Sequence, residues 1–211
     1  MARCVVLIDG GYLDKVQAED FGKTRVDIGK LGEELSGPME RLRTYYYHCM
    51  PFQGTPPTAE ERTRYAAMDS FISNLRKLPR FQFRQGKLQR IAGQYKQKRV
   101  DIMMAVDLVR MSSQHQIEKA IIITGDSDLV PAIEAARDAG VVVVVFYSPN
   151  SRHDELLQAC DERYEITKNL IEKTKLVFAP APKMHAISAV VPVKQTPEAK
   201  PEAKSNKTGT V

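Results

Sequence analysis

The stretch IIITGDSDLVP, residues 121–131, decides how this chain is expected to fold. Ile121, Ile122, Ile123 and Thr124 form an unbroken β-branched run, the pattern of a strand buried on both faces. Two carboxylates follow at once, Asp126 and Asp128, with Ser127 between them. Like charges at the edge of an apolar core repel each other and lose hydration, so their placement needs a chemical reason. Beyond them, DLVPAIEAARDAG (128–140) has helical spacing and a stop signal at Gly140. VVVVVFY (141–147) is another buried strand. Lys119 to Tyr147 is therefore predicted to be a right-handed βαβ crossover.

Working outward, CVVLIDGG (4–11) reads as a buried strand closed by a tight turn. RLRTYYYHCM (41–50) is a tyrosine-rich strand, and QGTPP breaks it. Residues 58–78 are predicted to be a helix with a capping box, Thr58 as N-cap and Glu61 three residues on. Its apolar residues Tyr65, Met68, Ile72 and Leu75 recur at helical spacing. FQFRQGKL (81–88) reads as a short edge strand, with Phe81 and Phe83 facing the core. DIMMAVDLVRMSS (101–113) reads as an amphipathic helix, and SRHDELLQAC (151–160) as a last helix capped by Ser151. Strands alternating with helices predict an α/β fold with a mostly parallel sheet covered on both faces.

The chain has 211 residues, a length that fits one substantial domain, taken here as 1–178, and a tail. Residues 179–211 are rich in Pro, Ala and Lys, lack aromatics and repeat PEAK, so they are expected to be disordered. The net charge of +5 favours anionic partners. Cys4, Cys49 and Cys160 are odd in number and form no CxxC pair, which argues against a zinc ribbon or disulfide framework and for a reducing, cytoplasmic setting. The N-terminal apolar run ends at Asp9, too soon for a signal peptide. The 141–147 run is far shorter than the ~20 apolar residues of a membrane span. A soluble protein is expected, and a homo-oligomer is compatible with the sequence.

In an open parallel sheet, ligands gather beyond the carboxyl ends of the strands, at the point where the strand order reverses. Asp9 closes the first strand, and Asp126 and Asp128 lie just past IIIT. If these strands are neighbours, three carboxylates meet at one rim. Oxygen donors without nearby His or Cys favour Mg²⁺ or Mn²⁺ over zinc. Asp101 opens the 101–113 helix, where a first-turn carboxylate is favoured anyway. Asp107 is turned roughly 240° from it, at about 100° per residue, and is read as structural. Asp128 also suits the N-cap of the next helix, with Pro131 in its first turn. Asp9 beside Gly10 and Gly11 also suits turn chemistry.

VVLIDGGYL, YYYHCMP, KRVDIMMAVDLV, TGDSDLVPAIEAARDAG and SRHDELLQACD stand in an order and spacing that resembles NYN domains, the LabA-like branch of the PIN-like nuclease superfamily. The resemblance covers roughly residues 3–170. It implies a Rossmann-like three-layer α/β/α sandwich and a hydrolase that cleaves RNA phosphodiester bonds with Mg²⁺ or Mn²⁺. By motif position, the metal-binding and catalytic acids would be Asp9, Asp101, Asp126 and Asp128. Lys98 matches the lysine of the family's K-x-VD. Thr124 and Ser127 would support the acids or contact phosphate, or simply close the turn. Many members carry Asn three residues after the first Asp. Here Tyr12 stands, so the contact Asn would supply is lacking.

Arg76 to Arg99 contains nine basic residues and no acid, with Phe81, Phe83 and Tyr95 interleaved. Arg84, Lys87, Arg90, Lys96, Lys98 and Arg99 are the candidate contacts to RNA, single-stranded or structured, because cations neutralise phosphates and aromatic rings stack on exposed bases. Two rival functions remain. A haloacid dehalogenase-like phosphatase needs a second acid two residues after the first-strand Asp, and Gly11 occupies that place. A regulatory RNA-binding module with little or no catalysis would keep the same acids.

Overall fold

The computed structural model describes residues 2–91 and 94–177, with the backbone alone for 89–91 and 94–97. Strand β1 (Arg3–Asp9) lies at the centre of the sheet. Helices α1 (Gly10–Glu19) and α2 (Ile28–Ser36) lead to β2 (Glu40–Cys49), and α3 (Ala59–Leu75) to β3 (Phe81–Ile91). Strand β4 (Gln94–Lys98) turns back along β3 and enters α4 (Val100–Ser113). Then follow β5 (Lys119–Ile123), a single 3-10 turn (Ser127–Leu129), α5 (Val130–Asp138), β6 (Val142–Tyr147), α6 (Asp154–Ala159), β7 (Glu162–Glu165) and α7 (Lys168–Thr174).

Among the described residues these strands form one sheet in the order β4-β3-β2-β1-β5-β6-β7. All neighbours are parallel except β3 and β4. The chain first builds outward from β1 through β2 and β3, then returns to lay β5, β6 and β7 on the other side. The strand order therefore reverses between β1 and β5, the place where open α/β sheets take their ligands.

Alternation along β1 separates two cores. Val5 and Leu7 pack on the face covered by α4, α5 and α6, through Met104, Leu108, Ile133 and Leu156. Cys4, Val6 and Ile8 pack on the opposite face against Leu13 of α1, Leu31 of α2, Leu75 of α3 and Ile171 of α7. This is a three-layer α/β/α sandwich. Leu7, Ile8, Ile122 and Ile123 are almost completely buried, and each such side chain contributes roughly 1.5–3 kcal/mol of transfer free energy.

The helix of residues 58–78 forms as α3 with both halves of its capping box: Thr58 Oγ1 accepts from the Glu61 N–H and Glu61 Oε2 from the Thr58 N–H. Gly140 ends α5 at φ +85°, in the left-handed region.

Several expectations are corrected. The tight turn after β1 is the first turn of α1, started by the Asp9 carboxylate, which accepts from the Tyr12 N–H. Gly10 belongs there because a Cβ would lie 2.5 Å from His48 Cδ2 and 2.6 Å from the Tyr46 ring. Helices α1, α2 and α7 and strand β7 were not legible in the sequence. Strand β3 is not an edge: it lies between β2 and β4, and Phe81 and Phe83 pack partly buried against the core. Ser151 does not cap α6, whose N-cap is His153. The stretch 179–211 lies outside the described residues. None of the helices among the described residues is long and apolar enough to cross a membrane.

Candidate active site

The β1–β5 register fixes the first relationship. Ile8 stands beside Ile123, so Asp9 is level with Thr124, and the GDSD turn rises directly past the end of its neighbour. On the other side Asp9 pairs with Tyr47 of β2. Asp101 enters from the first turn of α4, the helix that covers this face.

Electrostatics tie the four acids together. Burial pushes the Asp9 carboxyl up to about 6, against the hydrogen bonds it accepts from Tyr12 and Gly11, and the charge of Asp101 adds to the rise. The Asp101 carboxyl is also raised, first by burial and then by the charges of Asp126 and Asp128. Asp101 thus feels the charges of the GDSD pair, and its own charge acts on Asp9.

The two GDSD carboxylates exchange the roles expected of them. Asp126 is the cap: its Oδ1 accepts from the Asp128 N–H at 2.9 Å and starts the 3-10 turn. Asp128 lies inside that turn, exposed, with no side-chain hydrogen bond among the described residues. Helix α5 begins only at Val130, with Pro131 in its first turn. Thr124 is fully buried, and its hydroxyl accepts from the Asp126 N–H at 3.2 Å, closing the turn. Ser127 is half-buried at the start of the 3-10 turn.

The donor chemistry, oxygen-only carboxylates whose negative charge is made costly by burial at Asp9 and Asp101, fits a hard divalent cation. Among the described residues, however, no group of three or more His, Cys, Asp or Glu side chains converges as a metal-holding cluster. Asp9 and Asp126 each spend one oxygen on a cap.

The basic segment divides. Arg84 is not presented to a ligand. Its Nε and Nη2 reach Asp107 Oδ2 and Oδ1 at 2.8 and 2.9 Å, and its guanidinium lies 5.2 Å from the Tyr45 ring centroid. Asp107 is buried, accepts further bonds from the Tyr47 hydroxyl and Arg110, and locks α4 to β2 and β3. Asp107 thus anchors a structural ion pair, and the protein itself engages the Arg84 guanidinium. Lys87 and Lys98 are exposed and stand directly opposite each other on the β3–β4 ribbon. Like charges in that position cost stability and are retained without an ion pair among the described residues. Arg99, also exposed, turns the ribbon into α4 with φ 74°. The side chains of Arg90 and Lys96 lie outside the described residues.

Sequence reading missed a histidine. His48, at the end of β2, is buried and stacked on Tyr46. Its Nδ1 faces the Cys49 carbonyl at 2.7 Å and its Nε2 faces Asp14 Oδ2 at 3.2 Å. A carbonyl only accepts, so Nδ1 carries a proton, and protonated Nε2 suits the carboxylate. Burial pulls the imidazole's pKa down, but the bonds to Asp14 and Cys49 and the charges of Asp14 and Asp9 prevail, and the net shift is upward. The signal available was a histidine at a strand's carboxyl end; Asp14 was hidden in the unread helix α1.

Tyr12 was also missed as an organiser. Its hydroxyl accepts from the Ser148 N–H at 2.8 Å and donates to the Ser151 carbonyl at 2.9 Å. Its ring lies over Gly125.

With this geometry in place, comparisons with known proteins are informative. An uncharacterized protein, y4oD, of Sinorhizobium fredii (strain NBRC 101917 / NGR234) is 30% identical over 103 residues, 47% of this chain and 48% of that protein. The match thus spans about half of that relative's length. The crystal structure of a protein of unknown function, VPA0982, from Vibrio parahaemolyticus RIMD 2210633 superposes with a TM-score of 0.57 at 14% identity, covering 83% of this chain and 96% of that one. That likeness concerns the fold. The profile of the NYN domain matches residues 3–167, from the first residue of β1 to the cap of α7. The chain belongs to the NYN domain family, a PIN-like family of the nuclease superfamily.

Proposed function

We propose that this protein is a divalent-metal-dependent ribonuclease. The observation that carries the reading is that Asp9 ends β1 and Asp126 and Asp128 follow its neighbour β5, where strand order reverses, with Asp9 raised by burial and the charge of Asp101, and Asp101 by burial and the charges of Asp126 and Asp128. Asp9, Asp101, Asp126 and Asp128 would hold Mg²⁺ or Mn²⁺. When bound, the cation would supply charge for the nonbridging and leaving oxygens of the phosphodiester and acidity for the attacking water.

The chain's own residues do the rest. Lys87, Lys98 and Arg99 neutralise backbone phosphates and lead the strand to Asp101, three residues past the ribbon. Asp9 would hold the cation through the oxygen that does not accept from the Tyr12 N–H. When protonated, the buried imidazole of His48 opposes a little of the burial that raises Asp9. Thr124 and Ser127 hold the GDSD turn in shape. The three cysteines are free and buried, in keeping with work in a reducing cytoplasm.

A second reading is an RNA-binding regulatory module with weak or no catalysis. It is favoured by the lack of a converged three-acid cluster among the described residues and by Tyr12 in place of the family's Asn.

Single-stranded and structured RNAs incubated with Mn²⁺, Mg²⁺ or EDTA separate the two. The nuclease reading expects cutting that needs the metal and is lost in Asp9→Asn and Asp126→Asn. RNA that binds but stays intact in every condition establishes the second reading instead.

A further inference from the structure

A groove at the far end of the same rim has no role in the site described so far. It opens beside Tyr147, the last residue of β6, and runs down between α6 and the outer strand β7. Its volume is about 330 Å³, and Tyr147, Arg152, Asp154, Leu157, Gln158 and Arg163 line it. Leu157 and the half-buried Tyr147 ring form an apolar wall backed by the core. Arg152 and Arg163, with Gln158 and the carboxylate Asp154, supply the polar side.

Both guanidiniums are exposed and lightly engaged. Arg152 Nε is 3.6 Å from Asp154 Oδ1, with side chains 50% and 78% exposed, a pair of small energetic value. Arg163 donates from Nη1 to the Leu157 carbonyl at 2.8 Å. A guanidinium has five N–H donors, so each keeps most of its fork for a ligand. An aromatic face beside two such forks matches a nucleotide, base on ring and phosphate on arginine.

The groove is also tied to the carboxylates. The Asp9 carboxylate caps α1 by accepting from the Tyr12 N–H, while the Tyr12 hydroxyl holds Ser148 and Ser151 on the loop that ends in Arg152. Lys15 Nζ donates to Ser151 Oγ at 3.0 Å, and Asn150 Nδ2 to Asp20 Oδ1 at 2.9 Å, pinning that loop to α1. β6 is two strands from β1, roughly 10 Å at the usual spacing. The rim therefore runs from the Lys87–Lys98 ribbon, past the acids, to the Arg152 groove.

We infer that this groove is a second RNA subsite, which takes a nucleotide of the strand on the side of the carboxylates away from the basic ribbon. The inference rests on the RNA reading of the acidic site and extends it by naming where the strand leaves.

The test is fluorescence anisotropy with an end-labelled single-stranded octaribonucleotide, in EDTA so that the strand stays intact. Parent, Arg152→Gln, Arg163→Gln, the double variant and Tyr147→Leu are titrated across salt. Lys173→Gln, on α7 under the opposite face, controls for loss of charge alone. The double variant should bind about tenfold more weakly, with a log–log salt slope shallower by roughly 1.4, two phosphate contacts on a single strand. Tyr147→Leu should lose about tenfold through stacking, and Lys173→Gln less than twofold. If Arg163→Gln fails to fold for want of its Leu157 bond, Arg152→Glu, fully at the surface, should lose at least as much as Arg152→Gln. Affinity of the double variant within twofold of the parent overturns the subsite, as does an equal loss in Lys173→Gln. If the parent binds and cuts RNA, that failure leaves the nuclease reading standing; a parent that binds no RNA overturns both.

Discussion

The ring of Tyr12 covers Gly125 so closely that a Cβ at position 125 would lie 2.3 Å from Tyr12 Cε2 and 2.8 Å from the Ser151 carbonyl oxygen. The ring cannot swing aside, because its hydroxyl is held by Ser148 and Ser151. Gly125→Ala is therefore expected to cost about 2–3 kcal/mol of stability, as overpacking against rigid neighbours does. Tyr12→Phe keeps the ring and frees the loop, at a cost of about 1–2 kcal/mol for the unmet Ser148 N–H. Urea denaturation measures both; a Gly125→Ala midpoint equal to the parent's would mean the contact is not tight.

Asp9 makes the acidic site a source of pH-dependent stability. Its carboxyl sits at about 6 in the fold against an ordinary value of 3.8. The native state therefore holds more protons than the unfolded chain between those values, and stability falls as pH rises from about 4 to about 6. The loss amounts to at most roughly 3 kcal/mol above pH 6. Asp9→Asn keeps a side-chain oxygen for the Tyr12 cap and removes the ionisation. It should melt higher than the parent at pH 7.5 and match it near pH 3.5, while abolishing cleavage. Equal melting temperatures at pH 7.5 would show that Asp9 is not desolvated.

Mg²⁺ and Mn²⁺ should act as the counterpart of that penalty. Metal binds the ionised carboxylates and competes with their protons, so 5 mM-scale additions (roughly, at saturation) should raise the melting temperature at pH 7.5 and do little at pH 4.5. The rise should vanish in Asp101→Asn combined with Asp126→Asn. Calorimetric scans with metal or EDTA decide this, and a rise of the same size in the double variant would place the metal elsewhere.

His48 moves in the same direction. Its pKa is raised in the fold, so the stability it contributes is present below its unfolded value of about 6.5 and is lost as pH rises through the folded value. Asp14→Asn should lower the imidazole's titration midpoint, which proton or carbon NMR of the ring reads directly. An unmoved midpoint would mean that Asp14 is not the partner holding the proton on Nε2.

Arg84 and Asp107 form the buried lock between α4 and the sheet. Asp107→Ala strands Arg84 and the Tyr47 hydroxyl and should cost about 3 kcal/mol or more. Arg84→Met should cost less, about 1–2 kcal/mol, since Arg110 and Tyr47 still serve Asp107 and the guanidinium is partly solvated. RNA affinity of Arg84→Met, corrected for folded fraction, should equal the parent's; a large loss would restore Arg84 to the RNA surface.

Much of this was written in local patterns. The β-branched runs at 4–8, 119–124 and 141–147 declare buried parallel strands, because only a strand covered on both faces tolerates an unbroken apolar run. Thr58 and Glu61 announce α3 by chemistry three residues apart, and the acids just beyond two such runs mark a rim. The NYN motifs span the same elements. Helix α1 stayed hidden because GGYLDKVQAE begins with two glycines, which read as a turn after the strand. Asp9 caps it, and Gly10 stands at its start because Tyr46 and His48 leave no room for a Cβ there.

What only the tertiary structure decided is which partner each charged group meets. Arg84 and Lys87 look alike in sequence, yet β3 turns one onto the buried Asp107 and leaves the other in water. In the sequence Asp128 suits the cap, yet the turn spends Asp126 on capping and exposes Asp128. His48 and Asp14 are 34 positions apart and meet only through the α1–β2 contact. Hydrophobic period and caps are local, so the chain carries them in order; charge pairing acts across a few ångströms, and only the packing of distant segments sets those distances.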